Sequence, residues 1–236
     1  MLYIIGTGLN EKGIPLEGKE AIKKSKKIYL ESYTVEFPYS LKSLEKSIGR
    51  KIIPLEREKV ESNFLIKESK KENISLLVYG GPLFATTHIS LIQDCKKNKI
   101  KYNIIYSSSI FDAIAETGLQ LYKFGKILSM PQWQKNFTPD SFMDLVKENQ
   151  TINAHSLILI DIGLKFSDSL EQLITASKSK NIKLDKIIIC SRLGTKRGKI
   201  YYDSISKLKK NKINAPFCII IPGKLHFLEE EFLKKL

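Results

Sequence analysis

Residues 74–88 read ISLLVYGGPLFATTH. An apolar run ends in two glycines and a proline, and two threonines then open a helical pattern that continues to Lys99. The run is continuously apolar rather than alternating, which marks a strand covered on both faces, as in a parallel sheet. The same grammar recurs on either side. Strands are predicted at Leu2–Leu9 (LYIIGTGL), Ile28–Tyr33, Lys51–Leu55, Ile74–Gly81 and Tyr102–Ser107. Helices are predicted between them at Glu17–Lys27, Ser40–Gly49, Glu58–Asn73 and Thr86–Lys99. Strand, helix and strand in steady succession imply right-handed crossovers and an α/β domain.

A second unit follows a predicted connecting helix at Ser109–Tyr122. Its apolar runs are Lys126–Met130, His155–Ile162, Lys186–Leu193 and Phe217–Pro222. Its helices are expected at Thr138–Gln150, Ser167–Lys180, Ile200–Lys212 and Leu225–Leu236. The boundary is placed near residue 110, giving an N-terminal α/β domain with a parallel sheet (1–110) and a C-terminal α/β domain (111–236). A chain of 236 residues accommodates two such domains, each with its own core.

Composition narrows the partners. No apolar run approaches the roughly 18 residues of a membrane span, and MLYIIGTG has no basic segment before its apolar stretch, so no signal peptide is read. Cys95, Cys190 and Cys218 are few, odd in number and far apart, which fits a reducing cytoplasm and neither a disulfide framework nor a zinc site. The net charge of +14 comes from 39 basic and 25 acidic residues. Only Arg50, Arg57, Arg192 and Arg197 are arginines, so 39 − 4 = 35 are lysines. Lysine is a hydrated point charge and the weaker bidentate reader of phosphate. The lysines gather near predicted helix ends (Lys23 and Lys24, Lys96 and Lys97, Lys209 and Lys210), where cations complement the helix dipole. Direct nucleic-acid binding is therefore not the expected main role.

Three glycine turns follow strands. Gly6-Thr7-Gly8 lacks the third glycine of a dinucleotide fingerprint. Gly80-Gly81-Pro82 and the threonines after it place main-chain N–H groups and small hydroxyls at the carboxyl edge of the sheet, where open α/β sheets bind ligands. Thr86 or Thr87 also suits a helix cap. Ile221-Pro222-Gly223-Lys224 lacks the spacing of a phosphate-binding loop. His88 alone reads as a structural histidine in a first helical turn. His88, His155 and His226 share no metal-ligand spacing, and no nucleophile elbow is present. This pattern favours chemistry brought by a cofactor, with the protein supplying position and desolvation.

The segments LYIIGTGL, GGPLFATTH, SSSIFDAIAETGLQLYKFG (Ser107–Gly125) and IPGKLHFLEEEFL (Ile221–Leu233) together resemble the diphthine synthases, methyltransferases of the tetrapyrrole-methylase-like class. The resemblance runs from residue 1 to 236. It implies two α/β domains with an interdomain cofactor cleft, a homodimer, and S-adenosyl-L-methionine as cofactor, released as S-adenosyl-L-homocysteine. It also implies methylation of the amino group of a 3-amino-3-carboxypropyl-histidine on translation elongation factor 2, with trimethylated diphthine as the archaeal product in diphthamide biosynthesis. Carried over by position, the cofactor contacts are Leu9, Gly81, Phe84, Ser109, Ile110, Ile160, Leu193 and Phe217. No metal is implied, and no side chain is assigned as catalytic. Two positions depart from the family pattern: Gly81 stands where relatives carry aspartate, and Phe217 where many carry a polar residue or histidine. The competing readings are a same-fold methyltransferase for a tetrapyrrole or ribosomal RNA, and a non-catalytic basic module binding RNA or the ribosome.

Overall fold

A computed structural model describes all residues 1–236, which divide into two units, Met1–Asp112 and Ala113–Leu236. The first unit runs β1 (Leu2–Gly6), α1 (Leu16–Lys24), β2 (Lys27–Glu31), α2 (Leu41–Ile48), β3 (Ile53–Leu55), α3 (Arg57–Glu61), α4 (Phe64–Lys71), β4 (Ile74–Val78), α5 (Ile89–Lys97), β5 (Tyr102–Ile105) and the start of α6 (Ile110–Ala113). Its sheet has the order β3-β2-β4-β1-β5, and every pairing is parallel.

The apolar runs behave as strands buried on both sides. Leu2, Ile4, Leu76 and Val78 pack into one cluster with α4 and α5 residues such as Leu65 and Leu91. The residues between them, Tyr3, Ile5 and Leu77, join Ala21, Ile22 and Leu44 from α1 and α2 in another. Period-two alternation thus separates two faces that are both apolar. Capping follows the expected chemistry at α2. Ser40 Oγ accepts from Ser43 N at 3.2 Å, and Gly49 closes the helix at φ 67°.

The second unit contains β6 (Leu128–Met130), α7 (Phe142–Thr151), β7 (Ser156–Ile160), α8 (Phe166–Ser179), β8 (Lys186–Ser191), β9 (Lys199–Ser204), α9 (Ile205–Leu208), β10 (Phe217–Ile221) and α10 (Phe227–Leu233). Its sheet order is β6-β7-β10-β8-β9. Only β6 and β7 pair in parallel; β7–β10, β10–β8 and β8–β9 are antiparallel. Ile158, Ile187, Ile189 and Ile219 on one face of this sheet pack against Met143, Val146, Leu170 and Leu173 of α7 and α8.

Three expected helices differ. Glu58–Asn73 is not one helix: it is divided at Ser62-Asn63 into α3 and α4, and Ser62 Oγ both donates to Lys59 O and accepts from Phe64 N. Such local hydroxyl bonding competes with the helical ladder. Ser109–Tyr122 is α6 followed by two 3-10 turns, Ile114–Thr117 and Leu121–Lys123, separated by Gly118 at φ 77°. Ile200–Lys212 begins as strand β9, where Ile200, Tyr201 and Tyr202 favour a pleated surface; only Ile205–Leu208 is helical.

Candidate functional site

In the first unit the carboxyl ends of β2, β4, β1 and β5 lie side by side, and the loops after them form one edge. The two glycine turns lock together. Gly8 N donates to Gly80 O and Gly80 N to Gly8 O, both at 3.1 Å. Gly8 and Gly80 sit at φ 67° and 71°, a region open to glycine without a Cβ penalty. Aromatic side chains brace the first turn. The Tyr79 hydroxyl donates to Leu9 O at 3.3 Å, and Tyr39 Oη lies 3.3 Å from Thr7 Oγ1. Phe37 meets both rings edge-on, with centroids 5.5 Å from Tyr39 and 5.3 Å from Tyr79. Burial pushes the Tyr39 phenol up to about 12 and raises that of Tyr79 as well, so both hydroxyls stay protonated.

The second turn carries Gly81 and Phe84. A Cβ at Gly81 would stand 2.7 and 2.8 Å from two ring carbons of Phe84 and 3.0 Å from Ser107 O. The Phe84 ring therefore occupies the space that a side chain at 81 would fill. It is 46% exposed and lies against Phe111, with ring centroids 5.2 Å apart and planes tilted by 35°. Its neighbours Leu83 and Ala85 have φ of 70° and 50°, strained values for residues with a Cβ. After β5, Ser107 Oγ donates to Gly13 O at 2.8 Å. Ser109 N and Oγ both donate to Asp112 Oδ2, at 2.7 and 3.1 Å, which fixes the start of α6 and the half-buried Ile110.

This edge fits S-adenosyl-L-methionine by the chemistry of its donors and walls. Phe84 and Phe111 offer aromatic faces for a purine. Gly80 has no atom within 3.7 Å of where its Cβ would be, leaving room for close approach. Ser107 Oγ, which donates to Gly13 O, keeps acceptor capacity, whereas Ser109 Oγ is taken up by Asp112 and Phe111 N. Leu9, Gly81, Phe84, Ser109 and Ile110 are thus brought to one sheet edge.

The other three carried-over residues lie in the second unit. Ile160 ends β7, Phe217 begins β10 opposite Ser191, and the buried Leu193 follows β8 by two residues. Cys218 pairs with Leu159, so these three gather at one end of the second sheet. Phe217 packs edge-on against Phe166 at 5.6 Å, and both Phe217 and Ile160 border the core.

The YKFGK and PGKLH segments meet at a buried carboxylate. Glu229, 1% exposed, accepts from Gln120 N at 2.9 Å, from His226 N at 2.7 Å, from His155 Nε2 at 3.1 Å and from the Lys123 ammonium. His155 Nδ1 in turn accepts from Gly223 N at 2.9 Å. Burial raises the Glu229 carboxyl, but the two backbone N–H groups, Lys123 and His155 outweigh it and hold the group at about 2. Burial is also the main reason His155 lies below its ordinary value. Every polar atom in this network is satisfied, and its role is to fix the two segments.

Sequence reasoning passed over Glu31. It ends the apolar β2 and is fully buried, and its Oε2 makes a short hydrogen bond to Nε2 of His88, itself 3% exposed. The available signal was a carboxylate at the end of a strand buried on both faces (KIYLE).

The family model for tetrapyrrole (corrin/porphyrin) methylases matches residues 1–209. A diphthine synthase from Methanococcus aeolicus is 38% identical, covering 100% of this chain and 98% of the relative. A diphthine methyl ester synthase from Dictyostelium discoideum is 36% identical over 99% of this chain and 97% of its own length. A solved diphthine synthase structure superposes with a TM-score of 0.88 at 29% identity, over 99% of this chain and 94% of that one. A solved structure from Entamoeba histolytica gives 0.89 at 32%, over 100% and 97%.

Proposed function

Since the chain belongs to the diphthine synthases, S-adenosyl-L-methionine-dependent methyltransferases of diphthamide biosynthesis, we propose that it methylates the amino group of the 3-amino-3-carboxypropyl-histidine on translation elongation factor 2. The observation that carries this reading is the likeness to diphthine synthases over the whole chain, both sheets included. We assign cofactor contacts to Leu9, Gly81, Phe84, Ser109 and Ile110 of the first unit, and to Ile160, Leu193 and Phe217 of the second. The product is trimethylated diphthine, and the working form is a homodimer. No helix is long and apolar enough to cross a membrane, and the proposed setting is the cytoplasm.

The cofactor, when bound, supplies a methyl group already activated by its sulfonium. The protein's part is alignment and desolvation. Phe84 and Phe111 shield one side from water. The glycine turns, braced by Tyr39 and Tyr79, hold Leu9 and the main chain at fixed positions. Ser109, anchored on Asp112, orients the first turn of α6. Apolar surroundings disfavour the substrate ammonium, lower its pKa and so favour the neutral amine that attacks.

The test is mass spectrometry of elongation factor 2 carrying the amino-carboxypropyl-histidine, after incubation with the enzyme and cofactor. Three added methyl groups are expected. No added methyl overturns the substrate assignment, and a fourth overturns the stated product. Light scattering at twice the chain mass checks the dimer.

A further inference from the structure

In the whole chain, two buried side-chain polar atoms have no hydrogen-bond partner, and both belong to one pair: Glu31 Oε1 and His88 Nδ1. Glu31 is 0% exposed and His88 3%. Their other atoms, Oε2 and Nε2, bond to each other. Buried polar groups in folded proteins are almost always satisfied, so two vacant positions on one pair need a partner. The other two histidines offer no such vacancy. His155 uses both ring nitrogens, and the exposed His226 accepts from Leu228 N through Nδ1.

The vacancy has a definite chemical sense. The two ring nitrogens of an imidazole face opposite sides, so with Nε2 on Oε2 the free Nδ1 points away from Glu31 and Oε1 is the open atom on the carboxylate. A buried carboxylate oxygen calls for a hydrogen-bond donor. A buried carboxylate also calls for positive charge. Neither a lysine nor an arginine supplies it: the only ion-pair partner of Glu31 is His88. Arg57, the nearby cation, has its guanidinium over the Tyr33 ring, 5.2 Å from the centroid. The Tyr33 phenol is pushed up first by burial and then by the negative charges of Glu31 and Glu61, with Arg57 only partly offsetting them, so the local field is negative.

The place is informative as well. Leu30 pairs with Leu77 and Gly6 with Val78, so Glu31 stands at the carboxyl edge that carries the glycine turns, on the strand next to β4. His88 closes the segment that begins at Gly81. We infer that Glu31 Oε1, with His88 held on Oε2, is an acceptor for an ammonium group. The inference rests on the methyltransferase reading, which offers two such groups, the α-ammonium of the cofactor and the ammonium form of the substrate amine, which a carboxylate favours on binding and which must lose its proton before attack. The segment from Gly81 to His88 carries the strained Leu83 and Ala85 and the exposed Phe84, Ala85 and Thr87.

Calorimetry on the full-length protein separates the sources. If the pair holds the cofactor, an S-adenosyl-L-methionine analogue lacking the α-amino group binds the wild type about 10- to 100-fold more weakly, the scale for losing a charged hydrogen bond. Glu31→Gln then abolishes that difference. If it holds the substrate, Glu31→Gln and His88→Gln leave cofactor affinity within about twofold and raise KM for modified elongation factor 2 at least about tenfold, with partial recovery in Glu31→Asp. Folded variants that change neither quantity overturn the inference. If the variants do not fold, wild-type crystals with cofactor and with a peptide bearing the modified histidine decide. A ligand nitrogen within about 3.2 Å of Glu31 Oε1 supports the inference, and water alone in both crystals overturns it. Wild-type methyl transfer is scored separately, so failure of the substrate assignment leaves the cofactor arm intact.

Discussion

Gly81 and Phe84 are in close contact. The ring fills the volume a side chain would need, and its exposure lets it swing away. Gly81→Asp is therefore expected to fold, with a melting temperature within a few degrees of wild type, because φ at 81 is not left-handed. Phe84→Ala is expected to weaken S-adenosyl-L-methionine binding about tenfold, the worth of a lost aromatic contact, with stability changed by less than about 1 kcal/mol. Calorimetry and thermal melts read the two effects apart; unchanged affinity removes Phe84 from the site. Gly125 is the opposite case. A Cβ there collides with the Oδ1 of Asn149, which is 1% exposed and binds Lys126 N and O and Ser156 Oγ. Gly125→Ala should cost about 2–4 kcal/mol in urea unfolding, through overpacking and a broken buried network. A cost below about 0.5 kcal/mol would show that Asn149 moves aside freely.

Among the elements, α10 is tied to the 3-10 turn at Leu121–Lys123 and to His155 through Glu229. The Glu229 carboxyl is held at about 2, below its ordinary 4.5. A depressed carboxylate contributes stability above the unfolded value, and that stability is lost as pH falls from about 4.5 towards 2. The difference corresponds to roughly 3 kcal/mol. His155, depressed mainly by burial, acts in the same direction: its share begins to be lost as pH falls below the ordinary histidine value. Unfolding free energy measured in urea should therefore drop through acid pH, and Glu229→Gln should flatten the part between about 4.5 and 2. Elements were legible where pattern and burial agree. The strands of the first unit stand out as doubly buried apolar runs, and the loops after β1, β4 and β5 stand out by their glycines and serines. The antiparallel pairing of β10 with β7 and β8 was not legible, because Phe217–Ile221 is as apolar as any parallel strand. Strand β9 reads as helix in the sequence because the lysines after it mimic a helix end. Glu31 was missed because its partner is 57 positions away and only the fold brings them together.

Across the whole molecule, the charge of +14 is carried mostly by lysines, some of them at helix ends, such as Lys23 and Lys24 on α1 and Lys96 and Lys97 on α5. A field of this kind steers encounter more than it fixes a complex. The association rate with elongation factor 2 is expected to fall as ionic strength rises through 0.1 M, where the screening length is about 10 Å. A rate indifferent to salt would leave the charge without a role in docking. The strand order has a consequence of another kind, for how the chain reaches its fold. β1 pairs only with β4 and β5, and Leu2 meets Ile74 and Tyr102, which are 74 − 2 = 72 and 102 − 2 = 100 positions away. In the second unit Ser191 meets Lys199 across a gap of 199 − 191 = 8. Closing short loops is fast and long ones slow. During refolding, pulse-labelled amides in β8 and β9 should gain protection before those in β1 and β4. Strand β1, the earliest of the ten in chain order, would then be among the last to find its neighbours.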